Sequence, residues 1–311
     1  MKILAAALLG AAIVAQLAPQ ARAEGTLRVC LEENAPPYSM HEDKESGGFD
    51  LAVAGAVAKR LGRELAIQWF ETEIDEDSSL TLGANALMSD GLCQLVGGYP
   101  TVDGSLGKPQ VLTARLPDHE GGKPADRRRP ITLGTLVPSK PYHYAALTVV
   151  LGGPAVAKPI TSLSDLQAVK IGSQTGTLTD AILMIYGGRR LVNQVTHVVP
   201  GPRGQLLERE EKGDYDATLV TVRSFDAYRA KHPDTKLKAS GFYHRIGFNM
   251  GFVGLSSEQP LIDQVNTAIA DMLAKGELAP MAAAAGMTYL APHQPDVQRS
   301  VTLVDLFKPD Q

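Results

Sequence analysis

The sequence predicts an α/β fold of two lobes joined by two crossing segments, and three observations carry that expectation. From residue 27 to about 98, short apolar runs alternate with helix-patterned segments in the order β-α-β-α-β. That order calls for a parallel sheet with right-handed crossovers. The rhythm breaks over 99–133 and then resumes. Finally, the chain passes into the second block near 141–151 and returns near 240–255, so that the closing helices complete the first block. A length of 311 residues suits two domains. The predicted division is a leader at 1–23, lobe 1 at 24–143 and 250–311, and lobe 2 at 144–249.

The elements follow in order. Leu27 to Leu31 is a short, partly β-branched apolar run and reads as a strand. Glu32 to Gly48 is polar with Pro36 and Pro37, hence a loop. Leu51, Ala54, Val57, Ala58 and Leu61 fall at helical spacing, with Asp50 as N-cap and Gly62 as stop. Strands over Leu65–Phe70 and Cys93–Gly97 flank a helix from Ser79 to Leu92. The stretch 99–133, with several Gly and Pro and the run Arg127-Arg128-Arg129, is a long insertion. The second block has strands at 145–151, 169–172, 194–199, 217–222 and 247–255. Its helices are expected at 162–166, 177–185, 205–212 and 224–231, with the closing helices at 259–275 and 277–285.

Composition narrows the function. Hydrophobic residues make up 44% and charged residues 21%, an ordinary globular balance. The formal charge of −4 lacks the basic excess of a nucleic-acid protein. Lys2, the apolar run from Ile3 to about Ala18 and the small-x-small ending Ala21-Arg22-Ala23 form the layout of a secretory signal peptide. Its removal takes Lys2 and Arg22, leaving a mature net charge of −6 and a soluble, periplasmic product. That compartment permits disulfides. Cys30 and Cys93 are the two candidates, and the sequence leaves open whether they pair or are two buried thiols.

In open α/β sheets ligands bind at the carboxyl ends of the strands. By that rule Glu33 and Tyr38 after the first strand, Trp69 and Glu71 at the second, and Tyr99 and Thr101 at the third border a cleft. From the second lobe come Ser173, Thr175, Gly176 and Thr177, hydroxyl and amide donors between a strand and a helix, together with Thr221. Aromatic walls with a few polar anchors suit a small polar molecule. The acids Glu71, Glu73, Asp75, Glu76 and Asp77 lack the spacing and Gly of an EF-hand and read as a solvated loop. His41, His119 and His143 read as loop residues, and no His/Cys spacing marks a metal site. There is no Gly-x-Ser-x-Gly elbow. A cofactor, a metal and an enzymatic role are not expected.

The ordered segments Leu27-Arg28-Val29-Cys30 with Ala35-Pro36-Pro37-Tyr38, Gly48-Phe49-Asp50-Leu51, Lys170-Ile171-Gly172-Ser173-Gln174-Thr175-Gly176-Thr177 and Gly213-Asp214-Tyr215-Asp216-Ala217 resemble family 3 periplasmic solute-binding proteins of ABC importers. The resemblance covers nearly all of the mature chain. It implies a type II-like periplasmic-binding-protein fold, hinge closure on a small polar solute, a monomer, and a membrane permease as partner. Two anchors of amino-acid-binding members are missing. Thr101-Val102-Asp103-Gly104 lacks the Arg that clamps a carboxylate, and Thr221 stands where an Asp would hold an ammonium. Leu27 to Cys30 and Gly91-Leu92-Cys93 are also similar to members associated with quinoprotein dehydrogenases. That implies an alternative partner, a periplasmic dehydrogenase.

Overall fold

The computed structural model describes residues 25–42, 45–72, 79–201 and 204–308. The leader and the acids Glu73, Asp75, Glu76 and Asp77 lie outside the described residues. Strand β1 (Thr26–Glu32) leads through the short strands β2 (Asn34–Ala35), β3 (Ser39–Glu42) and β4 (Glu45–Gly47) to helix α1 (Phe49–Arg60). Then come β5 (Glu64–Glu71), α2 (Leu80–Ser89) and β6 (Leu95–Pro100). The insertion contributes β7 (Thr113–Ala114), β8 (Asp118–His119) and β9 (Ile131–Thr132). The long β10 (Leu136–Leu151) opens the second half, which holds β11 (Ile171–Gln174), α3 (Leu178–Arg189), β12 (Val195–Val198), α4 (Gln205–Glu211), β13 (Ala217–Thr221) and α5 (Val222–Lys231). The equally long β14 (Lys238–Leu255) returns, followed by α6 (Gln259–Ala274), α7 (Leu278–Ala284) and α8 (Leu303–Leu306).

Nine strands form one sheet in the order β12-β11-β13-β10-β14-β6-β1-β5-β8. The parallel trio β6-β1-β5 and the parallel trio β12-β11-β13 are the two β/α blocks. Within the sheet they are joined through the antiparallel pair β10–β14. Each block has its own apolar cores. Leu27, Val29 and Leu31 of β1 pack with Val53, Val57 and the α6 face Ile262, Val265 and Ile269. Ile171, Leu219 and Val149 pack with Ile182 and Leu183 of α3.

Several expectations are corrected. Asp50 does not cap α1: Gly48 does, in a backbone conformation (φ 112°) where any Cβ would collide with the Tyr38 carbonyl, and Asp50 is the second helical residue, buried in the first turn. The crossing strands are twice the predicted length. Their irregular registers around Pro138 and Pro141 hide them from a periodicity reading. His41, His119 and His143 all lie in strands, and His143 is fully buried. Cys93 sits in the turn before β6, where it reaches Cys30 to form a disulfide with Cα atoms 5.6 Å apart. The tail touches both blocks: Ser300 donates to Asp103 beside β6. Val301 and Leu306 pack against the second block's core, and Arg245 donates to the Asp305 carbonyl.

The insertion covers the outer edge of the first block. Its β8 adds to β5 at the end of the sheet, while Leu116, Ile131 and Leu133 pack over Cys30 and Cys93. Arg127 and Arg129 pair with Asp118 and Asp90, and Arg128 is exposed. Joining Asp103 to Ile131 is therefore expected to lower stability, because Leu116 leaves the core, at a cost of about 2–5 kcal/mol for a Leu of this burial. Solute affinity of the folded protein should stay within a few fold, as read by calorimetry. A collapse of affinity in a folded deletion would place the insertion in the pocket.

Candidate functional site

The strand registers locate the cleft. Pro100, at the carboxyl end of β6, pairs with Met250, which pairs with His143. Thr221, at the carboxyl end of β13, pairs with Leu147. The two parallel trios therefore point their carboxyl ends at each other along β10. They stop four residues apart, about 13 Å at a strand's rise per residue. This gap spans His143 to Leu147 of β10 and their β14 partners.

The first block lines its side with a buried polar cluster. The Tyr142 hydroxyl donates to Asp50 Oδ1 at 2.8 Å and accepts from the Gly98 amide at 2.8 Å. Burial pushes the Asp50 carboxyl up to about 7, only partly offset by the Tyr142 bond. His143 Nε2 stands 4.0 Å from Asp50 Oδ1. The two do not form an ion pair, because burial takes the imidazole down to about 3 and both ring nitrogens lack hydrogen-bond partners. Tyr38 leans edge-on against His143 at 4.7 Å between centroids. On the other side, the Arg223 guanidinium of α5 sits over the Tyr38 ring, 5.3 Å from its centroid. Burial raises the Tyr38 phenol well above its ordinary range, and Arg223 opposes that shift.

A buried acid with a raised pKa binds its proton more tightly when folded, so its contribution to stability is lost as pH rises. For Asp50 the window runs from its unfolded value near 4 up to about 7. Asp50→Asn, which mimics the protonated form, is expected to stabilise the protein by about 1.5 kcal/mol at pH 5, where the unfolded carboxyl is already ionised. At pH 8 it should stabilise the protein by a few kcal/mol, since one pKa unit corresponds to about 1.4 kcal/mol. Urea midpoints at the two pH values check this; an equal effect at both would show that Asp50 is ionised throughout.

The predicted site residues divide three ways. Tyr38 and Thr221 border the gap, and Thr221 also caps α5 by accepting from the Ser224 amide. Glu33 and Glu71 lie at the end of β1 and β5, the first half-buried and the second exposed. Trp69, Tyr99 and Thr101 are core instead. Trp69 stacks on His41. The Tyr99 hydroxyl donates to the Ser105 carbonyl at 2.7 Å, and that of Thr101 to the Asp296 carbonyl at 2.7 Å. In the second block, Thr175 and Gly176 are exposed at the loop tip and Thr177 caps α3. Ser173 is buried and donates to Asp180 Oδ1 at 2.9 Å. The Gly176 amide also donates to Asp180 and His197 pairs with it at 3.0 Å. The anion at this loop is thus the protein's own Asp180.

Asp50, Tyr142, His143 and Arg223 were not predicted in the site. The one signal for two of them, Tyr142 and His143, was Tyr142-His143-Tyr144, a run of rings within a crossing segment. Among the described residues no group of three His, Cys, Asp or Glu is placed to hold a metal ion, and no helix is long and apolar enough to cross a membrane. A cavity of about 440 Å³ opens beside the insertion, lined by Thr81, Asn85, Leu106, Lys108, Leu133 and Leu136. It lies outside the gap and includes no predicted site residue, so the strand-end geometry is the better guide to the site.

No protein-family model and no curated protein sequence matches the chain. Solved structures do. The L-cystine solute receptor of Neisseria gonorrhoeae, in its unliganded open conformation, superposes with a TM-score of 0.60 at 19% identity, covering 88% of this chain and 98% of that one. The second substrate-binding domain of Lactococcus lactis GlnP, also open, gives 0.57 at 16% identity over 82% and 93% of the two chains. An ancestral cationic amino acid solute-binding protein gives 0.56 at 18% identity over 83% and 94%. At these identities the likeness is one of fold. Two β/α blocks, two crossing strands and strand ends facing one gap are thus the type II-like fold of the periplasmic solute-binding proteins.

Proposed function

We propose that the protein is an exported solute receptor that closes around a small polar ligand between its lobes and then docks on the permease of an ABC importer. The observation that carries this reading is the convergence of both sets of strand ends on the gap between His143 and Leu147. The lobes are 24–143 with the returning chain, and 144–249, with β10 and β14 as hinges. The leader at 1–23 directs the chain to the periplasm. The solved structures of similar fold are named as receptors and binding proteins, which supports a role without catalysis.

The ligand is a neutral or singly charged polar solute and not an ordinary α-amino acid. No Arg follows β6 and no Asp follows β13, and an ion buried without a partner costs several kcal/mol. That rivals the whole binding free energy of a micromolar ligand, about 8 kcal/mol. Calorimetry and thermal shift of the mature protein against the standard amino acids and a panel of small acids, alcohols and sugars test the reading. We expect micromolar binding outside the amino acids; micromolar binding of a common α-amino acid would overturn this ligand class.

A second reading, an accessory protein of a periplasmic dehydrogenase, is favoured by one observation. The segments similar to such proteins, Leu27 to Cys30 and Gly91 to Cys93, meet at the disulfide, beneath an insertion that exposes Val111 and Leu112. A permease and ATPase, or instead a quinoprotein and cytochrome, encoded beside this chain would separate the two.

A further inference from the structure

Resting on the receptor reading, we infer that Arg223 is the anion anchor of the cleft, parked on Tyr38 until the carboxylate of a small organic monoanion displaces that contact. Arg223 is the second residue of α5, directly after the carboxyl end of β13, and its half-buried guanidinium crosses the gap to a residue of the other block. No described carboxylate pairs with it. The acids nearby are engaged elsewhere: Asp50 accepts from Tyr142, while Asp226 accepts from the Thr288 amide and hydroxyl and pairs with Arg229 at 2.6 Å. Its position is one the helix dipole disfavours for a cation, so its charge is the better stabilised by an incoming anion.

The chemistry of the exchange is favourable. A cation over an aromatic face is held by about 0.5–2 kcal/mol. A charge-assisted, bidentate guanidinium–carboxylate pair is stronger and directional, and Lys cannot reproduce its fork. Among the described residues within three positions of the carboxyl ends of β1, β5, β6, β11, β12 and β13, Arg223 is the one Lys or Arg. The cleft therefore offers one strong anion site, and Tyr38 supplies a ring against which the body of the solute can lie once the guanidinium has turned away. Behind that ring His143 is fully buried with both ring nitrogens unpartnered.

The test uses propionate as probe and propionamide as its uncharged counterpart, titrated into the mature protein while the Arg Nε–Hε resonances are followed by NMR. Arg223→Lys assigns the resonance. We expect a saturable millimolar shift of the Arg223 signal with propionate and at least ten-fold weaker response to propionamide. Arg229 and Arg245 should not follow. In the assigning variant, shifts of the Tyr38 ring signals should report propionate affinity reduced at least ten-fold. A linear, non-saturating shift shared by the exposed arginines, or equal affinity for the amide, overturns the anchor and leaves the receptor reading standing. A saturable Arg223 shift with no solute in the wider panel altering the radius of gyration keeps the anchor and sinks the receptor reading.

Discussion

Replacing Cys30 and Cys93 together by Ala is expected to lower the unfolding free energy by about 4 kcal/mol, the chain-entropy value for a loop of this length. The two residues are 63 apart in sequence, so the bond ties the start of the chain to the far side of α2. It closes the β1–α2–β6 unit at the turn that starts β6. It also lies inside the cluster that seats the insertion, where Phe70, Leu87, Leu116 and Ile131 surround it. The loss therefore acts twice: the unfolded chain gains freedom, and the packing beneath the insertion loses two buried sulfurs. Urea unfolding of the oxidised wild type, the reduced wild type and the double variant measures this. The reduced protein and the variant should fall together, well below the oxidised form. A loss under 1 kcal/mol would mean that the surrounding core holds the unit without the bond.

Asn249→Ala should cost about 3 kcal/mol, an unusually large effect for a polar-to-alanine change, because it strips a buried network. Asn249 is fully buried in β14 at the level of the hinge. Its side-chain amide donates to the carbonyls of His293, Pro295 and Asp296, and its carbonyl oxygen accepts from the His293 amide at 2.8 Å. The strap so held crosses from the first block to the second, continues through Ser300 on Asp103, and ends with α8 against the second core. Alanine leaves the His293 amide and the His293 and Pro295 carbonyls without this partner, and the Asp296 carbonyl with the Thr101 hydroxyl alone. Because the strap spans the hinge, faster amide exchange should spread from 293–298 to α8 in the variant. An exchange pattern identical to wild type would show that the strap is held by its other contacts.

The parallel trios were legible because each strand is a short apolar run between turn residues. Leu27 to Leu31 and Ala217 to Thr221 are buried nearly throughout and need no partner to announce themselves. The crossing strands were half legible. Ala145 to Leu151 is continuous and apolar, but the preceding Pro138-Ser139-Lys140-Pro141 breaks pattern and register alike, and pairing with β14 alone keeps it extended. The tail carries no periodicity from Pro292 to Thr302; Asn249, 44 residues upstream of His293, together with Thr101 and Asp103, sets its path. The site was the least legible part. Strand ends were found, but which side chain turns into the gap depends on contacts far apart in sequence. Asp50 looked like a helix cap and is instead claimed by Tyr142, 92 residues on. Arg223 turns toward Tyr38 from the other block, a contact no local pattern announces. Tyr99 and Thr101, placed correctly at a strand end, turn inward because Ser105 and Asp296 take their hydroxyls.

The central claim, that the gap between the strand ends is a cleft that closes on a solute, is tested most directly by the distance between the blocks. Lys59 on α1 and Lys212 beyond α4 are exposed and lie on opposite blocks. Spin labels at Lys59→Cys and Lys212→Cys report that separation by pulsed electron resonance without touching the gap. With the solute that calorimetry selects, the distance distribution should narrow and shift by several ångströms, and Arg223→Gln should abolish the shift at the same solute concentration. A solute bound with micromolar affinity while the distribution stays unchanged, in wild type and in Arg223→Gln alike, would contradict the account.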